Sequence, residues 1–133
     1  MDQTAPHYLS RQDILGLHQA AIARFGGKEG VWDEAALASC VAQPKTHVFG
    51  HERFPTLHDK AAAYCFYLCT THPFHDGNKR AGLLAAVHSL LLNGIEPVFD
   101  EDAMYDVIIR AVTGDAGVED IAAVLRGTAS PET

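Results

Sequence analysis

The chain has 133 residues, 47% of them hydrophobic, and a formal net charge of −7. That length suits one domain with a real hydrophobic core, and that composition excludes intrinsic disorder outside the ends. The acidic balance argues against broad electrostatic binding to nucleic acid, which needs a basic face, but not against a small local anion site.

The N-terminal "MDQTAPHYLSRQD" is polar and lacks the apolar core of a signal peptide. Ser10, with Asp13 three residues on, has the pattern of a capping box. The next stretch, "RQDILGLHQAAIARF", places Ile14, Leu15, Leu17, Ala21, Ile22 and Phe25 close to a helical period, and Gly26-Gly27 stops it. Asp33 is a second N-cap, opening a short helix over 34–42. Residues 43–56, "QPKTHVFGHERFPT", break the periodicity, with Pro44 and Pro55 bracketing Val48, Phe49, Gly50 and Phe54. This is a loop or strand-like flap projecting from a helical body, too long for a minimal connection.

From Leu57 a helix runs through "LHDKAAAYCFYLCTT", polar for one turn and then nearly all apolar, so it belongs at the centre. Pro73 ends it. The next helix spans Asn78 to Leu92 and closes at Asn93-Gly94. Asp100 opens another, to about Val112, and residues 118–126 make the last. No apolar run matches the roughly 20 residues of a membrane span. Cys40, Cys65 and Cys69 have no disulfide-scaffold spacing and suit buried, reduced core positions in a cytoplasmic protein. His88, on an apolar helix, has the pattern of a core histidine, whereas His7, His51, His58 and His75 suit the surface. The expectation is an all-α single domain of about six helices, with a central helix hairpin joined by His72–Gly77.

That connection concentrates the chemistry. Asp76, Gly77, Asn78, Lys79 and Arg80 straddle a helix N-terminus, whose first amides have no intrahelical acceptor and whose dipole favours negative charge. Two cations there oppose the dipole unless an anion joins them. Gly77 permits a tight turn and close approach, so the segment suits phosphate. Asp76 beside such a site makes sense as a ligand of Mg²⁺, which takes one or two carboxylates plus substrate phosphates. His72 has the properties of a general base, and Phe74 those of a core anchor. Base, metal ligand, anion nest and cationic clamp are the parts of phosphoryl or nucleotidyl transfer. A metal-dependent phosphohydrolase built on His72, His75 and Asp76 would need further His and Asp ligands elsewhere. No Walker-type G-x-x-x-x-G-K-[ST] occurs.

The nine residues "HPFHDGNKR" resemble the signature of the Fic/Doc family, His-x-Phe-x-(Asp/Glu)-(Gly/Ala)-Asn-(Gly/Lys)-Arg, at all seven defined positions. Further likeness to the death-on-curing branch covers residues 8–126, including "LSRQDILGLHQAAIARFGG", "LLLNGIEPVFD" and "AVTGDAGVEDIAAVLR". The resemblance implies a compact helical fold in which His72 is the catalytic base and Asp76 positions Mg²⁺ on ATP. It makes Gly77, Asn78 and Lys79 the anion-binding turn, Arg80 the phosphate clamp, and 43–56 the flap that lays a target segment across the site by strand-like pairing. Most family members have glycine at the Lys79 position and transfer AMP. The death-on-curing branch has lysine and transfers the γ-phosphate to a threonine of elongation factor Tu, arresting translation until an antitoxin intervenes. Lys79 and the short chain resemble the kinase branch, whereas Pro73 and Gly77 resemble the AMP-transferring one, so AMP transfer is the alternative; a non-catalytic binding relative is the other. The family's self-inhibitory Ser/Thr-x-x-x-Glu-(Gly/Asn) helix has no full match, since "FGGKEG" carries Phe25 in place of Ser or Thr. Inhibition is therefore expected from a separate antitoxin chain.

Overall fold

The computed structural model describes residues 5–127. Six α-helices carry the architecture: α1 (Arg11–Phe25), α2 (Glu34–Ala42), α3 (Leu57–Thr71), α4 (Asn78–Leu92), α5 (Glu101–Val112) and α6 (Val118–Arg126). The domain is all-α apart from one small hairpin.

Local chemistry sets the starts. In α1 the Asp13 amide donates to Ser10 Oγ at 3.1 Å and the Ser10 amide to Asp13 Oδ2 at 2.8 Å, the reciprocal pattern of a capping box. Thr56 and Asp59 repeat it at α3. Asp33 caps α2 and Asp100 caps α5.

The segment without helical period is a 3₁₀ turn at Gln43–Lys45, then strands β1 (His47–Val48) and β2 (His51–Glu52), paired antiparallel with His47 opposite Glu52. Phe49 and Gly50 both have positive φ, 52° and 81°, as the tight turns that match strand twist require. The ring of Phe49 is 97% exposed at the tip. Lys60, 2% exposed, holds the hairpin to α3: its ammonium donates to Glu52 Oε1 at 2.6 Å and to the Phe54 carbonyl.

The α3–α4 hairpin is the wall between two apolar clusters. On one side Ala62, Cys65, Cys69, Ala86 and Leu90 pack against Met104, Val107 and Ile108 of α5 and Ile121 and Leu125 of α6. On the other, Tyr64, Leu68, Phe74, Ala81 and Ala85 pack against Leu9, Ile14, Leu37 and Cys40. Alanines and Gly82 let the two helices close on each other; a Cβ at Gly82 would lie 2.7 Å from Cys69 Sγ and 3.0 Å from the Cys65 carbonyl. All three cysteines are buried and free. Burial pushes the Cys40 thiol up to about 11. The hydrogen bond between Cys65 and Cys69, together with burial, raises Cys65 well above its usual value. The Cys40 and Cys65 thiols therefore stay neutral, as core cysteines do. No helix among the described residues is long and apolar enough to cross a membrane.

Candidate active site

The loop His72–Gly77 between α3 and α4 is held from three directions. His72 ends α3 in the left-handed region, φ 52° and ψ 59°, which costs a non-glycine residue about 1–2 kcal/mol. Backbone bonds at the next residues hold that strain in place. The Pro73 carbonyl accepts from the amides of Trp32 at 2.7 Å and Asp33 at 3.0 Å, and the His75 amide donates to the Gly30 carbonyl at 3.2 Å. Val31 and Phe74 form an antiparallel bridge. The segment between α1 and α2 thus acts as a short strand against the motif. The His72 side chain remains exposed.

The second hold comes from Asn78. Its Oδ1 accepts from the Phe74 amide and its Nδ2 donates to the Phe74 carbonyl, both at 3.0 Å. The carboxamide is therefore committed to the loop backbone. Of Asn78, only the main-chain amide is left for an anion, a narrower share in the anion turn than the motif suggests. Phe74, 2% exposed, is the core anchor expected of it.

The third hold comes from α1, where sequence reasoning missed a residue. His18 is 3% exposed; its ring stacks on Phe74 with centroids 3.7 Å apart and planes 4° apart. Its Nε2 lies 2.8 Å from the Asp76 carbonyl oxygen. A carbonyl only accepts, so Nε2 carries the proton. The signal was present: His18 falls four residues after Ile14 and four before Ile22, on the same core-facing stripe. His88, in contrast, is only half-buried; the core histidine is His18.

The functional groups of α4 open outward from this frame. Gly77 is its N-cap, with φ 76° and ψ 20°, and neither a capping side chain nor an acidic residue covers the first turn. Asp76 accepts from the Lys28 amide through Oδ2 at 3.1 Å and from the Gly77 amide through Oδ1 at 2.9 Å. These two donors, Lys28 first, hold its carboxyl below the usual carboxylate range, and Arg80 adds to the effect. Gly27 is needed here: with φ 124°, a Cβ on it would lie 2.7 Å from Asp76 Oδ2. Each carboxylate oxygen accepts one of these bonds and keeps a lone pair. A single ionised carboxylate beside an uncapped helix N-terminus fits a divalent cation that arrives with phosphate ligands. Among the described residues no group of three His, Cys, Asp or Glu could hold a metal by itself, which removes the phosphohydrolase alternative's ligand set.

Lys79 and Arg80 are exposed. The Arg80 guanidinium rests over the Phe25 ring, 4.6 Å from its centroid. Asp76, Gly77, Asn78, Lys79 and Arg80 all line one cleft of about 850 Å³, which continues between Leu84 and Val87 of α4 and Phe99 and Tyr105 beside them. The motif therefore brings five of the six expected site residues to one opening. His72 is not among the residues lining it; it stands at the end of α3, at the other end of the same loop.

A family model described as the Fic/DOC family matches residues 8–90. The chain is 38% identical over 125 residues to a protein named toxin Doc from Mycolicibacterium smegmatis (strain ATCC 700084 / mc(2)155), covering 92% of this chain and 94% of that one. It is 31% identical over 119 residues to protein kinase doc of Escherichia phage P1, covering 90% and 93%. With its motif loop, helix hairpin and flap in this arrangement, the chain belongs to the Fic/DOC family, in its death-on-curing branch.

Proposed function

We propose that this protein is a cytoplasmic Doc-like toxin that passes the γ-phosphate of ATP to a threonine hydroxyl of a target protein, elongation factor Tu, and so arrests translation. The observation that carries the reading is the uncapped N-terminus of α4, flanked by Lys79 and Arg80 and opening on a cleft. Free amides and two cations there suit a polyphosphate.

The exposed His72 imidazole takes the proton of the target hydroxyl. The hydroxyl oxygen then bonds to the γ-phosphorus as the bond from that phosphorus to the β-bridging oxygen breaks, and ADP leaves with the electron pair. Arg80 and the first amides of α4 hold the phosphate oxygens, where charge shifts during transfer. Asp76 is the residue that would hold Mg²⁺, which supplies charge neutralisation on the phosphates. The hairpin edge at 47–52 offers main-chain groups for strand-like pairing with the target segment. No Ser or Thr stands at the self-inhibitory position, where this chain has Phe25. An antitoxin chain is accordingly the inhibitor in trans.

AMP transfer is the second reading. Pro73 and Gly77 favour it, because both resemble the AMP-transferring branch, whereas Lys79 and the kinase named among the relatives favour phosphate. Mass spectrometry of elongation factor Tu, incubated with the protein, ATP and Mg²⁺, separates them. One added phosphate is expected, abolished by His72→Ala and severely reduced by Arg80→Ala. One added AMP would overturn the nucleotide orientation while keeping the site. Transfer by pure His72→Ala protein would overturn the mechanism.

A further inference from the structure

The Asp76–Gly77 peptide unit is held at both ends. Its N–H, on Gly77, donates to Asp76 Oδ1 at 2.9 Å, and its carbonyl, on Asp76, accepts from His18 Nε2–H at 2.8 Å. That one unit decides three things. It starts the left-handed Gly77 turn, it aims the Asp76 carboxylate, and it sets where the first free amides of α4 point. A flip of its plane would disturb all three without breaking a core contact.

The geometry points to His18 as a positioning residue of this active site, one that locks the Asp76–Gly77 peptide plane and with it the carboxylate and the anion nest of α4. The imidazole suits that task better than a flexible donor. Stacking on Phe74 with planes 4° apart fixes the ring's rotation, and burial of the ring limits the access of competing water to the donor side of this part-buried bond. The side chains of α1 pack close to this turn: a Cβ on Gly77 would lie 3.2 Å from Ile22 Cδ1 and 3.6 Å from His18 Nε2. His18 is not among the residues lining the cleft of Asp76 to Arg80, so its effect passes through the backbone it holds. Its importance for turnover rests on the phosphotransfer reading; its hold on the loop does not.

The test compares two variants with the wild type. His18→Phe keeps a flat ring against Phe74 and removes the donor. His18→Gln removes the stack and keeps an amide N–H at nearly the same reach. In His18→Phe, exchange of the Gly77 amide should accelerate on the order of tenfold, while α6 amides stay as they are. Mg²⁺-dependent ATP binding should weaken, and kcat should fall on the order of tenfold to a hundredfold at unchanged KM for the target protein. His18→Gln should recover most of each loss. Imidazole ¹⁵N NMR of the wild type should find the proton on Nε2. A bare Nε2, wild-type exchange at Gly77 in His18→Phe, or equal damage in both variants would overturn the proposal. Should His18→Phe not fold, His18→Asn, whose amide falls short of the carbonyl, takes its place with the same outcomes. A wild type that transfers no phosphate would refute the phosphotransfer function, while exchange and tautomer would still decide the role of His18.

Discussion

Removing the Asn78 carboxamide separates two roles that the motif alone confounds. If Asn78 served only a ligand, Asn78→Ala would leave the free protein's stability unchanged and weaken ATP binding. The structure predicts otherwise, because both side-chain bonds run to the Phe74 backbone at 3.0 Å. Each such bond contributes about 1 kcal/mol net, and a part-buried partner left unsatisfied adds to the loss, for a total of roughly 2–3 kcal/mol. Alanine returns about 0.5 kcal/mol through its better helix propensity. The expected net loss is about 2 kcal/mol. With an unfolding entropy of roughly 0.28 kcal/mol/K for a chain of this size, Tm should fall by about 7 °C. Asn78→Asp should not restore it: a carboxylate accepts from the Phe74 amide but turns an oxygen towards the Phe74 carbonyl. Scanning calorimetry of the ligand-free proteins is the assay. A Tm for Asn78→Ala within about 1 °C of the wild type would refute the reasoning.

Gly82→Ala should destabilise by about 2 kcal/mol, because a methyl there meets the Cys65 carbonyl, which cannot yield as a side-chain tip can; a lowered urea midpoint at constant slope is expected, and an unchanged midpoint would mean the two helices can slide. Lys60→Met should loosen the hairpin that Lys60 ties through Glu52 and Phe54, accelerating amide exchange over residues 46–54 and raising KM for the target protein severalfold but not KM for ATP; wild-type exchange there would refute the clamp. Stability should fall in acid. The Ser10 amide holds Asp13 below its ordinary value, and the Lys28 and Gly77 amides do the same for Asp76. A depressed carboxylate stabilises fully above the unfolded value of about 4, and that contribution disappears as pH drops through the folded value. Tm measured from about pH 7 down to about pH 2.5 should show the fall, with a shallower acid limb in Asp13→Asn; an identical limb would remove Asp13 from the account.

Helix positions were legible because their causes are local. Ser10, Asp33 and Asp100 announce helix starts through side chains that reach amides two or three residues away, and Gly26, Pro73 and Asn93-Gly94 announce the ends. The central hairpin was legible from the apolar run of α3. The proposal of an anion site at Gly77 to Arg80 also starts from local sequence, since two cations at a helix start conflict with the dipole whatever surrounds them.

Tertiary structure alone decided what holds the loop and where it opens. Nothing within a few residues of Asp76 says that His18, 58 residues away, bonds to its carbonyl, or that the Lys28 amide reaches its carboxylate. Nothing in "DGNKR" says that the Asn78 side chain is turned back onto Phe74. The cleft between α4 and the start of α5 exists only once both helices pack on α3. Periodicity assigns a residue to the inward face of a helix, as it does for His18 on α1, but it is blind to which partner waits there. That partner is set by the packing of distant helices, a sum of many weak contacts that no short stretch of sequence contains.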